Sequence, residues 1–284
     1  MYSDLKEALF TAVEESISNE FSLAVAFSGG VDSALLAKIC KDLGRKVILL
    51  TIGFPESPDI EFSKVIASKL GLPHKIQKLN EEYFGKDLNY VQRVINCENV
   101  SHLENCLAFF YIARLAIRSG LRLIFTANGC DELFCGYNSY RLIYEQGRTR
   151  IKELMDQNIA NEFVLIQEIQ MITAEIGVNI KQPFLSRKFI SYAKNIPIDQ
   201  KISGSNDFIR KHILRETALL IGVPKDSAMK PKKAIQYGSL IHKKFTGFAA
   251  VAANALNQSF PETAQTQSLS CSLEIRVNNN HGHM

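Results

Sequence analysis

FSLAVAFSGGVDSALLAKICKDLG, Phe21 to Gly44, is the stretch that decides the fold of this chain. Phe21–Phe27 is a short apolar run that ends at Ser28-Gly29-Gly30, so it reads as a buried strand leading into a loop. Ala34–Leu43 reads as a helix that stops at Gly44. The same unit repeats downstream. Lys46–Ile52 is a strand, Asp59–Leu70 a helix closed by Gly71, and His74–Leu79 another strand. After helical stretches at Tyr83–Ile95 and Leu103–Ser119, Leu121–Ala127 supplies a fourth strand. Strands alternating with helices imply right-handed crossovers, and hence an α/β fold with a doubly wound, mainly parallel sheet.

Upstream, Leu5–Ile17 sets Leu5, Leu9, Ala12, Val13 and Ser16 on one face of an amphipathic helix. From Tyr137 onward no strand is expected. Helical stretches follow at Arg141–Met155, Phe163–Ile176, Arg187–Asn195, Phe208–Ile221 and Leu240–Leu256. The expected organisation is an α/β domain over 1–140 and a helical part over 141–256 packed on the sheet. The tail, Asn257–Met284, is rich in Ser, Thr, Gln and Asn, lacks periodicity, and is expected to be poorly ordered.

The 284 residues suit one large α/β domain with a helical appendage, and the composition supplies enough apolar residues for a core. A net charge of +4, spread along the chain, argues against a nucleic-acid footprint, which would cluster Lys and Arg. The six cysteines form no Cys-x-x-Cys pair, so a zinc ribbon or iron–sulfur site has no support. No cationic and apolar leader opens the sequence and no apolar run is long enough to span a bilayer. The expectation is a cytoplasmic protein with free thiols and small-molecule substrates, without a nucleic-acid or membrane partner. Homo-oligomerisation is left open.

Ser28-Gly29-Gly30-Val31-Asp32-Ser33 carries the first chemistry. Paired glycines let backbone N–H groups close on an anion without a Cβ in the way. The helix that follows adds its positive end, and the serines add donors. Asp32 would repel a phosphate alone, so its natural role beside one is to hold Mg²⁺. A plain strand–turn–helix, capped by Asp32 or Ser33, is the competing reading. Gly-x-x-x-x-Gly-Lys is absent, so the loop is not of the Walker A form. It resembles the PP-loop of the N-type ATP pyrophosphatases, which implies the adenine nucleotide alpha hydrolase-like fold and cleavage of ATP to AMP and pyrophosphate.

Thr126-Ala127-Asn128-Gly129-Cys130-Asp131-Glu132-Leu133-Phe134-Cys135-Gly136-Tyr137 follows the fourth strand. In an open parallel sheet this loop should face the PP-loop, because ligands sit beyond the carboxyl ends of strands. It resembles the Gly-x-Gly-x-Asp-Glu-x-Phe-Gly-Gly-Tyr signature of asparagine synthetases and the related β-lactam synthetases. Ile52–Asp59 is similar to that family's Gly-x-x-x-Ser-Pro-Asp segment. Pro183-Phe184-Leu185 is similar to its Pro-Phe-Leu-Asp, with Ser186 where the Asp is usual and Lys181 where an Arg is usual. Lys211-x-x-Leu-Arg215 and Lys230–Ser239 resemble its C-terminal lysine segments. The likeness runs from about Phe21 to Ser239, in order.

The resemblance implies ATP held by Ser28, Gly29, Gly30, Asp32, Ser33 and Lys211, with Ile52, Thr126 and Ala127 near the adenosine. It implies Mg²⁺ on Asp32 and Asp131, and a catalytic set of Lys232, Asn128 and Glu132. A carboxylate, by default aspartate, would attack the α-phosphorus, and an amine would then displace AMP. Lys232 would neutralise charge in both steps. Met1-Tyr2 leads almost directly into the synthetase part, so the expected nitrogen source is free ammonia, a separate glutaminase subunit, or another amine. The middle residue of Gly-x-Gly is Glu in asparagine synthetases and Tyr in β-lactam synthetases. Here it is Asn128, whose amide can orient an amine but cannot deprotonate it. Glu98, His102 and Glu104 are the candidates to replace it, each also readable as an ordinary surface or capping residue. Adenylation of a different acid, joined to a different amine, is the alternative reading. A subunit that binds ATP for a glutaminase without full activity of its own is a third.

Overall fold

The connection between strands, rather than any one strand, places the functional loops. The computed structural model describes residues 2–17, 21–97, 99–231 and 234–247, and those through Thr246 form one compact unit. Helix α1 (Tyr2–Ser16) precedes strand β1 (Ser22–Ala26), which runs through the glycine loop into α2 (Val31–Asp42). There follow β2 (Lys46–Gly53), α3 (Pro58–Leu70), β3 (His74–Lys78), α4 (Glu81–Ile95), α5 (Val100–Arg118) and β4 (Leu123–Phe125). Short helices α6 (Cys130–Leu133) and α7 (Asn138–Leu142) lead to the long α8 (Arg148–Glu175) and to β5 (Asn179–Lys181). Helices α9 (Arg187–Asn195), α10 (His212–Ile221), α11 (Lys225–Ala228) and α12 (Ile235–Gly238) complete the described elements.

The sheet is fully parallel with the order β3-β2-β1-β4-β5. The chain winds outward from β1 to β3, then returns to add β4 on the other side of β1. Ala24 pairs with Ile124 and Val25 with Phe125, so the loops after β1 and β4 leave the sheet side by side at its switch point.

Strand periodicity divides the core in two. Leu23, Val25, Val47, Leu49, Leu123 and Phe125 pack with α1, α2, α9 and α10 on one face. Ala24, Leu50, Ile52, Ile124 and Ile180 pack with α4 and α5 on the other. Burial on both faces is why these strands read as continuous apolar runs.

Two expectations are corrected. A strand does occur after Tyr137: Asn179–Lys181 extends the sheet beside β4. Its three residues, with only Ile180 buried, carry too little periodicity to be seen in the sequence. The stretches Arg141–Met155 and Phe163–Ile176 are not two helices, because Arg148–Glu175 is continuous. Its first half places Ile151, Met155 and Ile159 in one core and its second half places Leu165, Ile169 and Ile172 in the other. The polar residues at the crossover look like a break in sequence, yet they are the helical face turned to the site. The expectations for Glu98, Lys232, the end of Leu240–Leu256 and the tail Asn257–Met284 lie outside the described residues.

The turn before α10 is organised by Asp207. Its carboxylate accepts from the backbone N–H groups of Ser203 (2.9 Å), Ile209 (3.1 Å) and Arg210 (2.9 Å), and pairs with His212 Nε2 at 2.6 Å. Burial opposes this charge, but those backbone donors and His212 outweigh it and hold Asp207 below its usual pKa. Stability from this group is therefore present above the ordinary aspartate range and is lost as pH falls through it. Asp207→Ala should cost about 1–3 kcal/mol in urea denaturation at pH 7, the scale of losing charged hydrogen bonds. It should also lose less stability than the parent protein on acidification below about pH 4.

Candidate active site

Gly29 has φ +77°, and a Cβ there would lie 2.9 Å from the Phe62 ring, so the loop after β1 requires glycine. Gly30 forms the N-cap of α2. Ser33 Oγ donates to Gly30 O (3.2 Å), and Ser227 Oγ donates to Gly29 O (2.7 Å) from the far end of the chain. Opposite, Gly129 has φ +100°, and a Cβ would meet Leu185 at 2.9 Å. Pro183-Phe184-Leu185 thus sets the position of the second loop by packing against it.

Between the loops lies a cleft of about 380 Å³. Ser28, Gly30, Asp32, Ser33, Thr126, Ala127, Asn128, Asp131, Glu132 and Lys211 all line it. Ile52 does not; its side chain is buried in the core cluster that also holds Phe54. Lys232 lies outside the described residues. Lys230 and Arg215 also face the cleft. Lys230 Nζ lies 3.3 Å from Asp59 and 3.7 Å above the Phe62 ring, while Ser57 Oγ donates to Gly238 O at 2.6 Å. The Ser57-Pro58-Asp59 and Lys230–Ser239 segments are therefore tied to one another.

The centre of the site is Lys211. It sits in the left-handed region (φ 56°), is 1% exposed, and places Nζ 2.6 Å from Asp32 and 2.8 Å from Asp131. The two carboxyl oxygens are thus no farther apart than those distances added. Burial works against the ammonium, but Asp131 and Asp32 hold its pKa above the usual lysine range. Burial raises Asp32, as does Asp131, while Lys211 counters both. Asp32 Oδ1 is buried without a hydrogen-bond partner. Two neighbouring carboxylates on two loops, one with a spare oxygen, fit an oxygen-ligated hard cation such as Mg²⁺.

A second carboxyl pair occupies the other end. Glu132 accepts from Gly129 N (3.0 Å) and from the Tyr137 hydroxyl. Burial, then the charges of Glu162 and Asp131, push Glu132 up to about 8. Glu162, 7% exposed on α8, accepts from Asn128 Nδ2 at 2.6 Å, and burial raises its pKa as well. The Thr126 hydroxyl donates to Asn128 Oδ1, which fixes the amide with its NH₂ toward Glu162.

Sequence reasoning missed Glu162. His102 lines the cleft and pairs with Glu168 at 2.8 Å, whereas Glu104 is buried against His242 at 2.8 Å and does not line it. Asn158, Asn161 and Glu162, polar where the apolar face of α8 changes sides between Ile159 and Leu165, were the available signal.

The family described as asparagine synthase matches residues 4–165 and 160–272. The chain is 27% identical over 273 residues to a protein of Methanocaldococcus jannaschii named putative asparagine synthetase, glutamine-hydrolyzing, 1, covering 84% of this chain and 50% of that protein. It is 24% identical over 237 residues to asparagine synthetase B, glutamine-hydrolyzing, of Escherichia coli, covering 75% of this chain and 41% of that one. The chain thus spans half or less of these relatives. Among solved structures, the NH3-dependent NAD synthetase of Campylobacter jejuni aligns with a TM-score of 0.36 at 23% identity, over 48% of this chain and 61% of that one. The NMN synthetase of Francisella tularensis aligns with 0.37 at 13% identity, over 69% and 93%.

Two predictions test this geometry. Lys211→Met leaves two buried carboxylates facing each other and should cost about 3–5 kcal/mol in metal-free urea denaturation. Millimolar Mg²⁺ should restore part of that loss; equal loss with and without Mg²⁺ would separate the aspartates from metal binding. For Glu132, a raised carboxyl pKa means the folded state binds the extra proton, so its stabilisation is full below 4.5 and is lost as pH rises through about 8. Glu132→Gln should flatten the stability–pH curve across that window.

Proposed function

Because this chain belongs to the asparagine synthase family, we propose that it is an ATP-dependent ligase that adenylates a carboxylate with release of pyrophosphate and then forms an amide. The observation that carries the reading is the convergence of Asp32 and Asp131 on Lys211 beside the glycine loop, at the switch point of the sheet. Ser28, Gly29, Gly30, Ser33 and Lys211 would bind the β and γ phosphates through backbone N–H groups, hydroxyls and the ammonium. Thr126 and Ala127 would adjoin the adenosine. Asp32 and Asp131 would hold Mg²⁺, which offsets charge on the phosphates.

The substrate carboxylate oxygen bonds to the α-phosphorus, and the bond to the bridging oxygen breaks as pyrophosphate leaves. The amine nitrogen then attacks the acyl carbonyl carbon, and AMP departs with the acyl–oxygen bond. Lys230, and Lys232 by family likeness, would supply positive charge for these steps. Glu162 takes the proton from the amine. Asn128 donates to Glu162, so the amide orients a base it cannot itself be.

Aspartate as the acid, with ammonia free or from a separate glutaminase, is the default set of substrates. One observation favours the second reading, a different acid and amine. Lys211, Arg215 and Lys230 gather near the phosphate loop, while the remaining described wall presents Ser101, His102, Asn105, Asn158, Asn161 and Glu162. That wall offers acceptors for an amine and no Lys or Arg for a second carboxylate.

Incubation with ATP, Mg²⁺ and a panel of acids, followed by nucleotide chromatography, should give AMP and pyrophosphate; ADP as the main product would sink the assignment. Glu162→Gln should lower amide formation by about 10²–10⁴-fold. Exchange of labelled pyrophosphate into ATP, which needs no amine, should survive in that variant. Loss of exchange to the same extent would place Glu162 in adenylation instead.

A further inference from the structure

Helix α4 ends in a left-handed residue, Asn96 (φ 47°), and α5 begins four residues later with Asn99 as its cap. Asn99 Oδ1 accepts from His102 N at 3.2 Å, which caps the first turn of α5. The turn brings Cys97 against the first turn of α5, where Asn99 N–H donates to Cys97 Sγ at 3.3 Å. From the facing helix α8, Glu168 Oε2 reaches His102 Nδ1 at 2.8 Å, with both side chains largely covered. One ligand atom from each of Cys97, His102 and Glu168 lies within 4.8 Å of the other two.

We propose that Cys97, His102 and Glu168 form a binding site for a zinc-class divalent metal, separate from the Asp32–Asp131 pair. Sulfur, imidazole nitrogen and carboxylate oxygen together are the donors of four-coordinate zinc, whose bonds of about 2.0–2.3 Å require donors roughly 3.5 Å apart. Moving from the present spacing to that one takes side-chain rotation at the helix ends and no change of fold. The same set is wrong for Mg²⁺, which prefers six oxygens, so ligand hardness sorts the two metals between the two sites. Cys97 comes from the connection between α4 and α5, and His102 and Glu168 come from α5 and α8, which pack together. Three protein ligands leave a fourth position for water or for a nitrogen or oxygen donor from the cleft, whose wall His102 forms.

The test is titration of the chelator-stripped full-length chain with Co²⁺, read by absorption, then displacement with Zn²⁺. The site predicts one equivalent of Co²⁺ with an intense near-ultraviolet thiolate-to-cobalt band that Zn²⁺ abolishes. Cys97→Ser should remove the band, and His102→Asn and Glu168→Gln should each weaken Zn²⁺ binding by at least about tenfold. Cys40→Ser, at a cysteine buried in the core on the other face of the sheet, should leave band and affinity unchanged. Absence of a cobalt band in the parent chain, persistence of the band in Cys97→Ser, or Zn²⁺ affinity indifferent to Glu168→Gln would each overturn the proposal. None of these readouts depends on the ligase reading, because no ATP or amine is present.

Discussion

One buried ammonium between two carboxylates sets the terms for the rest of the molecule. Lys211 can be fully covered only because Asp32 and Asp131 neutralise it, and those aspartates can approach each other only because Lys211 lies between them. Each partner comes from a different part of the chain: the first turn of α2 after β1, the short helix α6 after β4, and the residue that caps α10. Holding three such segments in register asks for rigid support, and the structure provides it. The parallel pairing of β1 with β4 fixes two of them, and Asp207 fixes the third by collecting the N–H groups that a strained turn leaves without partners.

The long helix α8 answers a second demand. A doubly wound sheet has a core on each face, and something must pass from one to the other where its loops open. Helix α8 does so in one unbroken rod, apolar toward one face before Ile159 and toward the other after Leu165. At the crossing it borders the cleft, where polar residues can find polar partners. Asn158, Asn161 and Glu162 occupy that crossing, and Glu162 meets Asn128 and Glu132.

Those facts explain what was legible in the sequence. Strands β1, β2 and β4 declared themselves because burial on both faces makes each a continuous apolar run, and glycine marked the loops where backbone had to approach a ligand. Of the cleft residues on those loops, Ser28, Asp32 and Asp131 were readable from position, while Thr126 and Asn128 came from the family resemblance. Glu162 was not, because its partnership with Asn128 is a contact across 34 residues that no local pattern encodes. The helix carrying it was split in two for the same reason: a polar crossing resembles a linker. Ile52 failed in the opposite direction, since a strand end beside a site looks the same whether its side chain enters the cleft or the core. Strand β5 was too short to show a period.

The bonds that shape the cleft share one property. Lys230 to Asp59 spans 171 residues, Lys211 to Asp32 spans 179, Ser57 to Gly238 spans 181, and Ser227 to Gly29 spans 198. Each joins the opening third of the chain to its final third. Contacts so distant in sequence close late in folding, because the loop entropy between them must be met before they reward the chain. As synthesis proceeds from the N-terminus, the sheet through β4 can assemble while the phosphate loop still lacks the segment that braces its carbonyl. The cleft is therefore the last part of the unit to mature. It is also the first to dissolve when the segment from α10 to α12 detaches locally, leaving a folded sheet without a binding site.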